Sequence, residues 1–168
     1  MKNYYSYIKT PLGEMCAVAD EQAILFLKFC EDNDLHLHKI QQMLQATLIP
    51  TKNTVLDLLE DEMERYFQGS LQHFVTPICP AFGTNFQEKT WRIVQGIPYG
   101  KTLSYQQVAY VMEQDRAVRA VGQANGANHI LILIPCHRVI QSNGLLGGYA
   151  AGVERKQWLL DHEERLLS

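Results

Sequence analysis

Hydrophobic and polar residues follow two rhythms along this chain. In the first, short apolar runs at 15–18 and 23–29 are bounded by turn residues, and Thr10-Pro11-Leu12-Gly13 is itself a turn, so the runs predict strands of a hairpin. A weak helical pattern follows at 35–44. A stronger one covers 54–67, where Val55, Leu58, Leu59, Met63, Tyr66 and Phe67 recur at i, i+3, i+4 spacing and Gly69 supplies a stop. The acidic residues Asp57, Glu60, Asp61 and Glu64 take the other faces of that helix, the pattern of a solvated surface.

The second rhythm is helical. Pro77, Pro80 and Gly83 punctuate the chain and place a boundary near 80–85, giving domains 1–84 and 85–168. Beyond it the pattern predicts a helix at 86–95 ending at Gly96 and a turn at Ile97-Pro98-Tyr99-Gly100. A second helix is capped by Ser104 and runs to about 112. The polar break Glu113-Gln114-Asp115 leads to a third helix at 116–124, which completes the plan of a helix-turn-helix. Asn143-Gly144 is a hairpin turn signal, so 139–141 and 145–146 are expected to pair as a wing. A side-chain-poor loop, Gly147-Gly148-Tyr149-Ala150-Ala151-Gly152, precedes a last helix at 153–164. The fold class expected is α+β: a small N-terminal α/β domain followed by a mainly helical, winged helix-turn-helix domain.

Composition narrows the function. With 46% hydrophobic and 20% charged residues the chain reads as globular throughout, and its longest apolar run, 130–135, is far too short to cross a bilayer. No secretory signal opens the sequence, so the cytoplasm, or a nucleus, is the expected location and no membrane partner is expected. Cys16, Cys30, Cys79 and Cys136 form no CxxC pair and read as thiols. A zinc site from Cys16, Cys30, His36 and His38 meets no standard ligand spacing, so no metal is expected. The net charge of −3 argues against a nucleic-acid partner until it is divided along the chain. Residues 1–84 carry 6 basic against 11 acidic side chains, whereas 89–155 carry 7 against 3. A phosphate-facing surface therefore belongs to the second half, where Arg116 and Arg119 are spaced to share a helix face.

The chemistry concentrates where the buried run 130–134 ends in Pro135-Cys136-His137-Arg138. A thiol needs a nearby base or positive charge to be a good nucleophile at neutral pH, and His137 and Arg138 are candidates to supply one. On an extended strand the side chains of Cys136 and His137 would point to opposite faces, so either Pro135 bends the chain or a water relays the proton. Glu163 or Glu164 on the last helix could orient His137. Cys16, Cys30 and Cys79 lack an adjacent imidazole and read as structural thiols.

Taken in order, Phe86-Gln87, Trp91, Ile97-Pro98-Tyr99-Gly100, Ser104-Tyr105, Arg119-Ala120-Val121-Gly122, Asn128, Pro135-Cys136-His137-Arg138-Val139, Gly148-Tyr149, and Lys156 with Leu160 and Glu163 resemble the O6-alkylguanine-DNA alkyltransferases. The resemblance covers nearly all of 85–164, and the N-terminal half matches only loosely, chiefly in Thr10-Pro11-Leu12-Gly13. It implies an RNase H-like sheet with helices ahead of the DNA-binding domain. It implies single-turnover transfer of a methyl or other alkyl group from O6 of guanine in double-stranded DNA to Cys136, with O4 of thymine a second candidate and the damaged nucleotide flipped out. In that scheme His137 activates Cys136 through a water and Glu163 holds His137. Tyr105 donates a proton to the leaving base and also contacts DNA, while the Val139 carbonyl and the amides near Tyr149 and Ala150 hold the base. Arg119 would fill the vacated gap, Ala120 and Gly122 would let their helix approach the minor groove, and Asn128 would brace the turn below. No cofactor is implied, and a monomer is expected. His129 stands where the family commonly has proline, and Ala150 where serine is frequent. A non-catalytic lesion-binding protein and a cysteine hydrolase built on Cys136, His137 and Glu163 are the competing readings.

Overall fold

In the computed structural model, which describes residues 2–30 and 35–166, the chain divides into two units, Met1–Ala81 and Phe82–Ser168. In the first, β1 (Lys2–Thr10), β2 (Gly13–Ala19) and β3 (Ile24–Phe29) form an antiparallel meander, and β4 (Thr47–Ile49) joins β1 in parallel, giving the order β3-β2-β1-β4. The Thr10 hydroxyl closes the first turn by donating to the Gly13 carbonyl and accepting from the Leu12 amide. Residues 15–19 of β2 are all buried, which requires cover on both faces. Cys16, Val18 and Phe26 pack with Ile40 of α1 (Leu35–Leu44) and Leu48, and α2 (Thr54–Gln68) packs on β1 and β2 through the buried Leu56, Leu59 and Met63. Asn53 caps α2 by accepting from the Leu56 amide, and Gly69 ends it in the left-handed region at φ 86°. Buried Glu62 accepts from the amides of Val75 and Thr76 and from the Thr76 hydroxyl, pinning the chain that follows α2.

The pattern at 15–18 and 23–29 anticipated β2 and β3, but β1 and β4 were not anticipated. In β1 only Asn3 and Ile8 are buried, and its tyrosines and lysines blur the alternation. β4 is three residues long, too short for periodicity to register.

The second unit begins with α3 (Asn85–Gln95), capped by a reciprocal pair in which Thr84 accepts from the Gln87 amide and the Gln87 side chain accepts from the Thr84 amide. The same device, Ser104 with Gln107, starts α4 (Tyr105–Val111) directly after β5 (Leu103–Ser104). After a turn comes α5 (Val118–Gly126), and the Trp91 indole donates to the Ala124 carbonyl at 2.8 Å, tying α3 to α5. Helix α5 begins two residues later than expected, so Arg116 lies in the turn and does not share a helix with Arg119.

The apolar run 130–134 is a buried tight turn, in which Ile132 adopts φ 72°, and not a strand. Only the turn of the expected wing hairpin forms: the Gly144 amide donates to Gln141 and the Gln141 amide to Leu145. β6 (Val139–Ile140) pairs in parallel with β5 instead of with 145–146. The chain closes on α6 (Val153–Arg165).

Candidate active site

Pro135 does bend the chain. Cys136–Arg138 form one turn of 3-10 helix, and all three side chains are buried, which removes the strand geometry that would have separated the thiol from the imidazole. Asn128, fully buried, fixes this turn from both sides. Its amide nitrogen donates to the Ile134 carbonyl at 2.8 Å and to Cys136 Sγ at 3.2 Å, and its oxygen accepts from the Ile130 amide at 2.9 Å. Asn128 is therefore both a brace and a direct contact of the sulfur.

Helix α6 brings Glu163 against the same turn. Glu163 Oε2 lies 2.7 Å from His137 Nε2, while Arg138 donates from Nε to Oε1 at 2.8 Å and from its terminal nitrogen to Oε2 at 3.0 Å. The Gly100 amide also donates to Glu163, and Arg138 donates to the Ile97 carbonyl. Glu164 is exposed and takes no part. Burial pushes the pKa of His137 down and outweighs the pull of Glu163, so the ring is neutral near pH 7. Burial works against ionised Glu163 too, but hydrogen bonds and charge from His137 and Arg138 override it and hold the carboxyl well below the usual carboxylate range. With His137 neutral, the Arg138 guanidinium is the charge that keeps Glu163 ionised. The carboxylate can only accept, so His137 carries its proton on Nε2 and presents a basic Nδ1, which is buried and has no hydrogen-bond partner among the described residues. Arg138 serves the carboxylate rather than the thiol.

A pocket of about 440 Å³ opens beside this turn, within the size range of small-ligand sites. Its walls include Tyr105, Gly122, Asn125, Gly148, Tyr149 and Ala150. Burial, then the nearby Cys136, raises the pKa of Tyr105 and raises that of Tyr149 further, so both phenols keep their protons. Gly147 adopts φ 72°, and a Cβ there would sit 2.9 Å from the Tyr105 hydroxyl oxygen, so the loop passes as close as a glycine allows. Arg119 is exposed and Ala120 half-buried on the first turns of α5, the helix that supplies Gly122 to the pocket wall.

Two residues were given no role from the sequence, although Lys156 was among those that carry the resemblance. Lys156 is fully buried, and its Nζ donates to the carbonyls of Val139 at 2.6 Å and Gly148 at 3.1 Å and to the Tyr105 hydroxyl at 3.4 Å. Burial lowers its pKa to about 8. Its signal was its spacing: Lys156, Leu159 and Glu163 fall at i, i+3, i+7 on the buried stripe of α6. The other is Asn125, which donates to the Cys136 carbonyl at 3.1 Å. Of the zinc candidates, the His36 side chain lies outside the described residues, among which no group of three His, Cys, Asp or Glu could hold a metal ion.

Comparison with known proteins places the chain in a family. Residues 3–80 match the ribonuclease-like domain, and residues 85–165 the DNA binding domain, of 6-O-methylguanine DNA methyltransferase. The chain is 38% identical to a methylated-DNA–protein-cysteine methyltransferase of Methanosarcina barkeri, over 98% of this chain and 99% of that protein. It is 40% identical to one of Salmonella typhimurium, over 95% of each. The crystal structure of Mycobacterium tuberculosis O6-methylguanine methyltransferase superposes with a TM-score of 0.84 at 33% identity, covering 97% of this chain and 93% of that one. The M. tuberculosis OGT in complex with DNA gives 0.82 at 32% identity, over 99% and 94%. The chain belongs to the 6-O-methylguanine DNA methyltransferase family.

Proposed function

We propose that this protein repairs DNA by transferring a methyl or other alkyl group from O6 of guanine in double-stranded DNA to its own Cys136, once per molecule. The observation that carries the reading is the buried Cys136 turn, with Asn128 on the sulfur and a neutral, Glu163-anchored His137 beside it, at the side of a pocket sized for a base. His137 Nδ1 takes the thiol proton through a water, and the imidazolium that forms is stabilised by Glu163 through Nε2–H. The thiolate then attacks the alkyl carbon. A carbon–sulfur bond forms, the carbon–oxygen bond breaks, and its electron pair leaves with the guanine. Tyr105 accepts a hydrogen bond from Lys156 and holds its own proton toward the base, where it offsets the charge that builds as the guanine departs. The departing guanine takes up a proton and His137 releases the one it took from the thiol, so that overall the thiol hydrogen and the alkyl group exchange places; the thioether is stable, so Cys136 is consumed.

A stacked base cannot reach a buried thiol, so the nucleotide is flipped out, at a cost of about a few kcal/mol. Exposed Arg119 fills the gap, and small Ala120 and Gly122 let α5 lie close in the minor groove. The Val139 carbonyl and the backbone at Tyr149 and Ala150 hold the base. All of these groups lie in one chain, so a monomer suffices. The reaction needs a reduced thiol, which suits the cytoplasm or a nucleus.

The test is incubation with a duplex carrying O6-methylguanine, followed by mass analysis of the intact protein and of the Cys136 peptide. One methyl replacing one hydrogen on that peptide is expected. Binding of the duplex without a mass gain would instead indicate a lesion-binding protein, and multiple turnover of an ester or amide a hydrolase.

A further inference from the structure

Asn128 holds Cys136 Sγ and the backbone on both sides of it, and the mechanism above does not say what holds Asn128. It lies between the end of α5 at Gly126 and the tight turn 130–134, in a stretch that belongs to no helix or strand. The next residue, His129, is half-buried, and its imidazole meets the Phe82 ring edge to face, with centroids 5.8 Å apart and planes at 84°.

Phe82 is itself anchored. The adjoining Gly83 lies against the indole of Trp91, where a Cβ would come 2.7 Å from Cζ3. Buried Trp91 in turn donates to the Ala124 carbonyl of α5 at 2.8 Å. The contacts close a circuit within the second unit: from Phe82 through Gly83 and Trp91 to α5, along the chain to Asn128 and His129, and back to Phe82. Proline, common in the family at position 129, fixes its own φ and confines the residue before it. Histidine does neither, so ordering Asn128 costs conformational entropy that a contact must offset. An edge-to-face ring pair is favourable beyond the area it buries.

We propose that Phe82 and His129 are positioning residues, whose ring contact holds Asn128 where its amide meets Cys136 Sγ. The ring pair supplies by contact the restraint that a proline would supply through its own ring. Its effect on transfer rests on the alkyl-transfer reading, whereas the brace itself does not.

The experiment compares the full chain with Phe82→Ala, His129→Pro and the double variant, by two readouts. Native-state hydrogen exchange at the amides of Ile130, which donates to Asn128, and of Ile134, which donates to Ile130, reports opening of the turn. Phe82→Ala is expected to speed exchange at both by about two- to tenfold, the scale of one aromatic pair. It should slow the maximal rate of benzyl transfer from free O6-benzylguanine to Cys136 by a comparable factor and leave the half-saturating base concentration unchanged. His129→Pro should abolish both effects of Phe82→Ala, because the restraint no longer comes from the ring. Effects that are missing in the wild-type background, or that persist undiminished beside His129→Pro, overturn the proposal. So does faster exchange spread evenly over α6, which marks a general loss of stability. Phe82→Leu, which keeps the bulk without the ring, replaces Phe82→Ala if that variant does not fold. If the wild type takes no benzyl group on Cys136, the alkyl-transfer reading fails, and the exchange comparison still decides the brace.

Discussion

Glu163 accepts four hydrogen bonds, from three residues, on one buried carboxylate, the most heavily used side chain of the site. Replacing it by Gln keeps the shape but leaves the Arg138 guanidinium buried without its counter-charge, a loss that typically costs about 3–5 kcal/mol. Glu163→Gln should therefore lower both the methyl-transfer rate and the urea midpoint. Its pH dependence has a definite sign. The folded pKa is depressed, so the stabilisation is present above the unfolded carboxyl value, about 4.3, and is lost as pH falls toward the folded value. The stability gap between wild type and Glu163→Gln should narrow as urea titrations move below that pH, and a constant gap would show that the charge is not its source. Lys156 has the opposite consequence. Its folded pKa of about 8 lies below the unfolded value of about 10.4, so across that window the unfolded chain holds more protons and stability rises with pH. Lys156→Met should lack this rise in denaturation curves taken between those values. It should also slow methyl transfer, because Nζ no longer orders Val139, Gly148 and Tyr105.

Two glycines on different elements meet the same tyrosine at different distances. A Cβ on Gly147, in the loop before α6, would lie 2.9 Å from the Tyr105 hydroxyl oxygen on a backbone with φ 72°. A Cβ on Gly122, in α5, would lie 3.8 Å from the ring, an ordinary contact. Gly147→Ala should therefore strain the loop by about 1–2 kcal/mol and displace the proton donor, whereas Gly122→Ala should fold normally. Stability curves for both, with transfer rates measured on a free alkylated base and on duplex, separate the effects. Gly147→Ala should be slow on both substrates. Gly122→Ala should be impaired on duplex alone, if at all.

For the whole molecule, the basic excess in 89–155 against the acidic 1–84 localises the expected DNA contact to one part of an otherwise acidic chain. Arg119 is exposed on α5 and touches no part of the thiol machinery described above. Arg119→Ala should weaken repair of duplex far more than reaction with free O6-benzylguanine, and parallel rate measurements check this. Equal losses on the two substrates would remove the role in flipping. The N-terminal unit, built around a four-stranded sheet, supplies none of the reacting side chains proposed here.

Much of this was legible in the amino-acid order because it is local. Capping by Ser104 acts over three residues, the period of α2 over four, and the thiol and imidazole of Cys136-His137 are chain neighbours. Glu163 was named beside His137 only as one of two carboxylates until the family resemblance singled it out. The tertiary structure decided what depends on residues far apart along the chain. Arg138 turned to a carboxylate 25 positions away instead of to the thiol, and Gly100 reached the same carboxylate across 63. A lysine on the apolar stripe of α6 found three acceptors, and an asparagine of α5 reached the Cys136 carbonyl. Protonation states followed from the same packing. Whether His137 is neutral and Glu163 ionised depends on burial and on which charge lies within hydrogen-bond reach, and neither can be read from residue order.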